Sequence, residues 1–263
     1  MSPIRARSKT CSESKQARNV SAKPFDPHHI ELIGPFSEAD DRAMRAYYDR
    51  RASEYDDWYL GRGLYAEYAR REGRAQWNAS LRELAERVEA FGTGRLLEIA
   101  CGTGWWSRYL ARRARVTATD FSARMLSLTR DRLRADSLKA DRVRADAYAL
   151  PFCADSFDAC FMGCFMSHVP YAHLPELLEG IRRVLKSDGV VMAIDTGPHS
   201  EDARSRAGTE YYNPRVLNDG SRYERVLKID HTPETLSKAL APLGHNIEAW
   251  STGSFVGAIV KLS

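Results

Sequence analysis

Cysteine is scarce and unpaired in this chain of 263 residues: five are scattered along it, and no C-x-x-C occurs. An odd, dispersed set builds neither a disulfide framework nor a cysteine zinc site, and it fits a reducing, cytoplasmic compartment. Long apolar runs are missing too. Nothing approaches the roughly 18 uncharged residues of a spanning helix, which excludes a membrane partner. Met1 to Val20 holds no apolar segment of the kind a secretory signal carries. Lysine is thin, with 8 of the 39 basic residues, a skew that reports a GC-rich genome rather than a function.

Positive charge is also missing where a nucleic-acid enzyme would need it. The net charge is +4, but residues 1–23 carry six basic residues against Glu13, leaving the other 240 at about −1. A phosphate backbone is held by a strongly positive folded face. The balanced body therefore argues against nucleic acid and for a small-molecule partner. Residues 1–24 are rich in Ser, Lys and Arg with almost no apolar content, and predict a flexible basic tail.

What is present falls into two further parts. Residues 25–92 predict a helical lid. Ser37 and Asp40 form a capping-box pattern, Glu38 to Leu60 runs without Gly or Pro, and a second helical stretch extends from Gly63 to about Phe91. Eight aromatics crowd positions 47 to 77, about a quarter of that window against 10% of the chain. Residues 93–263 predict an α/β core. Arg95–Ala100, Val116–Thr119, Phe157–Met162 and Val190–Asp195 suit buried strands, separated by helices near Trp105–Arg113, Ala123–Ala135 and His173–Lys186. That alternation means a doubly wound, mostly parallel sheet with right-handed crossovers. An insertion at about 196–230 carries a hairpin signal at Leu217-Asn218-Asp219-Gly220, between Arg215–Leu217 and Tyr223–Ile229. A helix capped at Thr232-Pro233 follows, then strands Asn246–Trp250 and Phe255–Leu262 joined by only three residues, so the last strand is antiparallel.

Three acidic elements sit at strand ends. Leu96 to Ile99 runs into Gly102-Thr103-Gly104 with a helix opening behind it, a turn that lets backbone approach a ligand. Ser107 stands where a dinucleotide fingerprint has its third glycine, and Glu98 would repel a pyrophosphate. No G-K-[ST] follows, which excludes a kinase-type loop. Asp120 closes the next strand, where an acid accepts both hydroxyls of a ribose. Asp146, in Asp146-Ala147-Tyr148-Ala149-Leu150-Pro151-Phe152, stands where an acid accepts an adenine amine.

The string Glu98-x-Ala100-Cys101-Gly102-Thr103-Gly104, then Thr119-Asp120-Phe121-Ser122, then Asp146-Ala147 resembles the class I S-adenosylmethionine-dependent methyltransferases, in particular their small-molecule, natural-product branch. The resemblance covers roughly Arg95 to Asp195. It implies a Rossmann-like seven-stranded sheet and S-adenosyl-L-methionine as cofactor. It also implies a cofactor site of Glu98, Ala100, Cys101, Gly102, Thr103, Gly104, Asp120, Phe121, Met125, Asp146, Ala147, Gly163 and Cys164, with Tyr55 reaching in from the lid. No metal site is implied, since no compact cluster of Asp and His ligands stands out.

A sulfonium methyl is already a strong electrophile, so the enzyme's main task is aligning a nucleophile behind it. His168 follows the carboxyl end of the strand Phe157–Met162, beside the methyl position that the resemblance implies, suited equally to a base at neutral pH and to ordering its own loop. Tyr47 and Tyr48 join it as candidate catalytic residues, since a lid tyrosine in the resembled enzymes reaches cofactor or substrate. An aromatic face also attracts a sulfonium or an aromatic acceptor. In the insertion, Arg204, Arg206, Tyr211, Tyr212, Arg215 and Arg222 are candidates to choose the acceptor. The function expected is methyl transfer to a small aromatic or heteroaromatic metabolite. The alternatives are an RNA-modifying methyltransferase, a cofactor-binding subunit without turnover, and an NAD-linked oxidoreductase. The lid helix suits a site on its own chain or, in a homo-oligomer, on a neighbour's.

Overall fold

The computed structural model describes residues 31–32 and 36–263, so the basic tail expected over residues 1–24 lies outside the described residues. The first elements are a two-residue strand, β1 (Glu31–Leu32), and helix α1 (Glu38–Arg51). Ser37 caps α1 as its spacing predicts: its hydroxyl accepts the Asp40 N–H at 3.3 Å, and the Asp40 carboxylate accepts the Ser37 N–H at 3.0 Å. The expected run to Leu60 ends early. Beyond Arg51 the backbone closes tighter turns (Glu54 N–H to the Arg51 carbonyl, 2.9 Å; Asp57 N–H to the Glu54 carbonyl, 3.2 Å) before a short helix, α2 (Asp57–Leu60). Tertiary contacts set this bend. Asp49 bonds the Ser122 hydroxyl, while Asp56 bonds Thr103 and Arg132. Helices α3 (Ala66–Glu72) and α4 (Arg74–Phe91) complete the N-terminal layer. Trp77 of α4 is fully buried, and its indole N–H donates to the Tyr59 carbonyl at 2.9 Å.

The core alternates as its pattern predicts: β2 (Arg95–Ile99), α5 (Ser107–Leu110), β3 (Arg115–Asp120), α6 (Ala123–Ala135), β4 (Asp141–Arg144), β5 (Phe157–Gly163), α7 (Leu174–Val184) and β6 (Leu185–Thr196). The insertion supplies α8 (Glu201–Ser205) and four short strands, β7 (Glu210–Tyr212), β8 (Arg215–Val216), β9 (Arg222–Tyr223) and β10 (Leu227–Ile229). Helix α9 (Pro233–Leu240), β11 (Ile247–Thr252) and β12 (Phe255–Lys261) follow.

Seven strands form one sheet in the order β11-β12-β6-β5-β2-β3-β4. Only β12 is antiparallel, pairing that way with both β6 and β11. This is the Rossmann-like arrangement expected for the methyltransferase fold. The chain winds from β2 outward through β3 and β4, then returns to place β5 on the other side of β2. Ligands bind open α/β sheets in the crevice at such a reversal.

Strand residues alternate between two apolar layers. Leu97, Ile99 and Met162 meet Leu177, Leu178, Ile181 and Val184 of α7 on one face. Leu96, Ala118 and Phe161 meet Trp77, Leu84 and Val88 of α4 on the other. A third cluster joins Met44 and Tyr47 of α1 to Leu217, Val226 and Leu227. Thus α1 is clamped between core and insertion of its own chain. The Leu217–Gly220 turn forms as expected, with Arg215 opposite Tyr223, but the strand after it splits. Its first part pairs with β8 and its second with β7.

Candidate active site

Loops leaving the carboxyl ends of β2, β3 and β5 enclose an inner cavity that includes Ala100, Gly102, Asp120, Met125, Gly163 and Cys164. Two non-glycine residues on its rim, Ala100 (φ 54°) and Cys164 (φ 55°), hold the left-handed conformation. Each costs about 1–3 kcal/mol, and such strain collects where a site needs a particular backbone path. Gly104 (φ 76°) is required twice over, because a Cβ there would lie 2.9 Å from the Thr129 Cα. Gly163 has no such φ, yet a Cβ would fall 2.5 Å from the Trp106 ring.

Asp120 sits at the end of β3, 5% exposed. The Gly102 and Ser122 N–H groups each donate to a different carboxylate oxygen, both at 2.9 Å. Burial pushes its pKa up to about 6, although those N–H groups favour the charged form. Each oxygen keeps a lone pair, and the side chain lines the cavity. That suits a ligand presenting two neighbouring hydroxyls. Phe121 and Met125 are apolar wall, and Asp146 lies further along it, accepting from Arg45 at 2.8 Å and from the Tyr148 N–H at 3.1 Å.

Tyr48, Tyr55, Cys164 and His168 line both this cavity and a second, outer chamber, so they form the neck between them. The Tyr48 hydroxyl lies 2.7 Å from His168 Nε2, and His168 Nδ1 lies 2.7 Å from the Leu227 carbonyl. A carbonyl only accepts, so Nδ1 carries the proton and Nε2 accepts from Tyr48. Burial, aided by the nearby Lys228 charge, pushes the His168 pKa down to about 3. At neutral pH His168 is thus an uncharged prop whose free lone pair is taken by Tyr48. Burial raises the Tyr48 pKa, keeping its hydroxyl protonated.

A family model described as a methyltransferase domain matches residues 96–189. The malonyl-[acyl-carrier protein] O-methyltransferase of Erwinia pyrifoliae is 32% identical over 152 residues, which cover 57% of this chain and 50% of that enzyme. The match thus spans only half the length of this curated relative. The solved DhpI–SAH complex is 28% identical with a TM-score of 0.64, covering 85% of this chain and 97% of that one. The DhpI–SAM–HEP complex, also 28% identical, reaches 0.66 over 86% and 99%. Residues 96–189 thus match a methyltransferase domain, the part of the chain that carries the Gly102–Gly104 turn, Asp120 and Asp146.

Of the residues named from sequence for the methyltransferase cofactor, Tyr55, Ala100, Gly102, Asp120, Phe121, Met125, Asp146, Ala147, Gly163 and Cys164 are brought together around the inner cavity. Glu98, Cys101, Thr103 and Gly104 are placed beneath the loop instead. Glu98 is 1% exposed and accepts from the Ser107 hydroxyl at 2.5 Å, and burial pushes its pKa up to about 8. The Cys101 Sγ lies 3.5 Å from the Thr129 hydroxyl. Thr103 donates to Asp56 at 2.6 Å, which latches lid to loop. Of the candidate catalytic residues, Tyr48 and His168 meet at the neck. Tyr47 turns away into the Met44–Leu217 cluster, edge-on to Tyr223.

Of the insertion candidates, Arg206, Tyr211 and Arg215 line the outer chamber. Arg204 pairs with Glu201, and Tyr212 lies under the Arg225 guanidinium. Sequence reasoning missed Arg45 and Arg51, which share α1 with Tyr48, and missed Lys228 and Asp195. Lys228 had a signal: it is a lone charge in the apolar strand Leu227–Ile229, and it is buried. Asp195, an acid at the carboxyl end of β6, had the same strand-end signal as Asp120.

Proposed function

We propose that this protein transfers the methyl group of S-adenosylmethionine to a small organic acceptor held in the outer chamber. The observation that carries the reading is the tyrosine-lined neck joining a cavity with an Asp120-type hydroxyl acceptor to a second, separately lined chamber. Bound in the inner cavity, S-adenosylmethionine supplies a methyl group activated by its sulfonium.

The chain's own residues bind, orient and exclude water. Asp120 would accept the two ribose hydroxyls, Asp146 and Ala147 would bracket the adenine, and the turn at Ala100 and Gly102 would approach the methionine portion. Tyr48 stands at the neck with its hydroxyl fixed by His168, whose tautomer is in turn fixed by the Leu227 carbonyl. His168 is therefore a positioning residue for Tyr48. Orienting the acceptor is worth about 7–11 kcal/mol of barrier, so a rigid neck suffices for most of the catalysis. The aromatic neck suits an acceptor with an aromatic or heteroaromatic ring. Asp56, shared between Thr103 and Arg132, holds the lid over the site.

The test is label transfer from methyl-tritiated S-adenosylmethionine into the small-molecule and RNA fractions of a cell extract. Label is expected in small molecules. Tyr48→Phe is expected to slow transfer about tenfold or more while binding S-adenosylhomocysteine within about twofold of wild type. Label confined to RNA would overturn the acceptor class. Intact cofactor binding without label in either fraction would overturn turnover itself.

A further inference from the structure

The outer chamber is cationic in a body that is otherwise balanced. Arg51, Arg71, Arg206, Arg215 and Lys228 line it, against three aspartates. Two of those aspartates are already engaged by the fold. Asp195 accepts the Ser167 N–H at 2.8 Å and the Thr196 N–H at 2.7 Å, and Asp230 accepts the Tyr211 hydroxyl at 2.8 Å.

The cations are less well satisfied. Arg51 is 7% exposed, and its guanidinium lies over the rings of Tyr47, Tyr55 and Tyr65 at 4.7 to 5.7 Å from their centroids. Its Nε has no hydrogen-bond partner, and no ion pair to it is present among the described residues. Arg206 keeps its Nε unpartnered as well, although its guanidinium reaches within 3.4 Å of Asp230. Lys228 is buried; its ammonium donates to the Thr196 hydroxyl at 2.7 Å and stands 3.6 Å from Asp195, leaving donor capacity.

A buried cation without an anion is costly, and the penalty is relieved when a ligand brings the charge. Tyrosine faces offset part of it at Arg51 but accept no hydrogen bond in the guanidinium plane. The same field acts on the chamber's imidazoles: burial and then the Lys228 charge push His199 down to about 4. The chamber therefore meets its ligand with fixed guanidinium and ammonium charges and neutral histidines.

We propose, resting on the methyltransferase reading above, that the methyl acceptor carries an oxyanion, a carboxylate or a phosphorus oxyanion, gripped in the outer chamber by Arg51, Arg206 and Lys228. Charge-assisted and bidentate hydrogen bonds from guanidinium groups match both anion types. The chamber measures about 290 Å³, room for a metabolite-sized molecule.

The experiment is calorimetric titration of the full chain, saturated with S-adenosylhomocysteine, using benzoate, methylphosphonate and neutral benzamide as probes. At least one anion is expected to bind, with benzamide about tenfold weaker or worse; the tighter of the two anions assigns the oxyanion type. Arg206→Gln and Lys228→Met are each expected to weaken that anion about 10- to 100-fold, a loss equal to one or two charged hydrogen bonds. Affinity for S-adenosylhomocysteine is the control for folding and is expected within about twofold of wild type. Arg51→Met is expected to follow the same pattern; if it instead weakens S-adenosylhomocysteine and leaves the anion unchanged, Arg51 serves the cofactor and its assignment here is overturned. Benzamide binding as tightly as benzoate, neither anion binding, or anion affinity indifferent to all three variants would overturn the proposal. Should wild type fail to bind S-adenosylhomocysteine, the methyltransferase reading falls, and the same anion titrations on the ligand-free protein still decide the chamber.

Discussion

Replacing Asp120 by Asn probes the cofactor site at its most constrained point. In wild type each carboxylate oxygen takes one backbone N–H, from Gly102 and Ser122 at 2.9 Å, and keeps a lone pair that, under the proposed function, would accept a ribose hydroxyl. Asparagine has the same shape but a single acceptor oxygen, so its amide nitrogen must face one of those N–H donors. One backbone donor then loses its partner, at about 1–3 kcal/mol of folding stability. One of the two ribose bonds is lost, and the other no longer ends on a charge. A hydrogen bond to a charged group contributes about 1.5–3 kcal/mol, so affinity for S-adenosylhomocysteine should fall about 10- to 150-fold. Calorimetry at pH 7.5 reads the loss directly, with a thermal melt to confirm that the variant is folded.

A pH series adds a second arm to this test. Burial raises the Asp120 pKa to about 6, and the ligand's hydroxyls favour the ionised form. Wild-type affinity should be flat above pH 7 and decline as pH drops through 6, whereas the Asn variant should show no such slope. A folded variant that binds within about threefold of wild type at pH 7.5 would refute Asp120 as the ribose acceptor.

Two further outcomes concern the support beneath the site. Burial raises the Glu98 pKa from 4.5 to about 8, so the stability linked to this group is fully present below pH 4.5 and lost as pH rises through 8. Glu98→Gln keeps an acceptor for the Ser107 hydroxyl and removes the ionisation. Its melting temperature should match wild type at pH 4.5 and exceed it by pH 9, by an amount worth at most about 5 kcal/mol; parallel melting curves across pH would contradict this. Gly104→Ala should cost about 2–4 kcal/mol in urea denaturation, since it combines φ 76° with a Cβ 2.9 Å from the Thr129 Cα. Gly220→Ala is the control, because φ is 82° but nothing lies within 4 Å, so it should cost only about 1–2 kcal/mol. Equal losses would mean that packing against Thr129 contributes nothing.

Buried strands were the most legible part of the fold. Phe157–Gly163 and Phe255–Lys261 are apolar because a central strand is covered on both faces. Strand β4, Asp141–Arg144, went unread for the converse reason: it is an edge strand with exposed, charged side chains, so no apolar signal marks it. The N-terminal helix was read too long because nothing local breaks it after Arg51. Its bend follows from Asp49 and Asp56 finding partners on α6 and the glycine loop, and only the folded chain brings those partners near.

The candidate site divides along the same line. Sequence alone determined the doubly wound core, the glycine turn and the strand-end acids Asp120 and Asp146, because strand–turn–helix geometry is local and puts those residues at one sheet edge whatever surrounds them. Tertiary structure decided everything that depends on distant partners. It sent Glu98 beneath the loop and Tyr47 into a packing cluster, and it tied the Tyr48 hydroxyl to a histidine 120 residues away. It also gathered Arg51, Arg206 and Lys228, from α1, the insertion and β10, around one chamber. Arg51 lies far from the other two in the chain, and both arginines look like ordinary surface residues in sequence. Burial, which strips water from a charge, sets Arg51 and Lys228 apart, and an Nε left without a partner sets Arg206 apart.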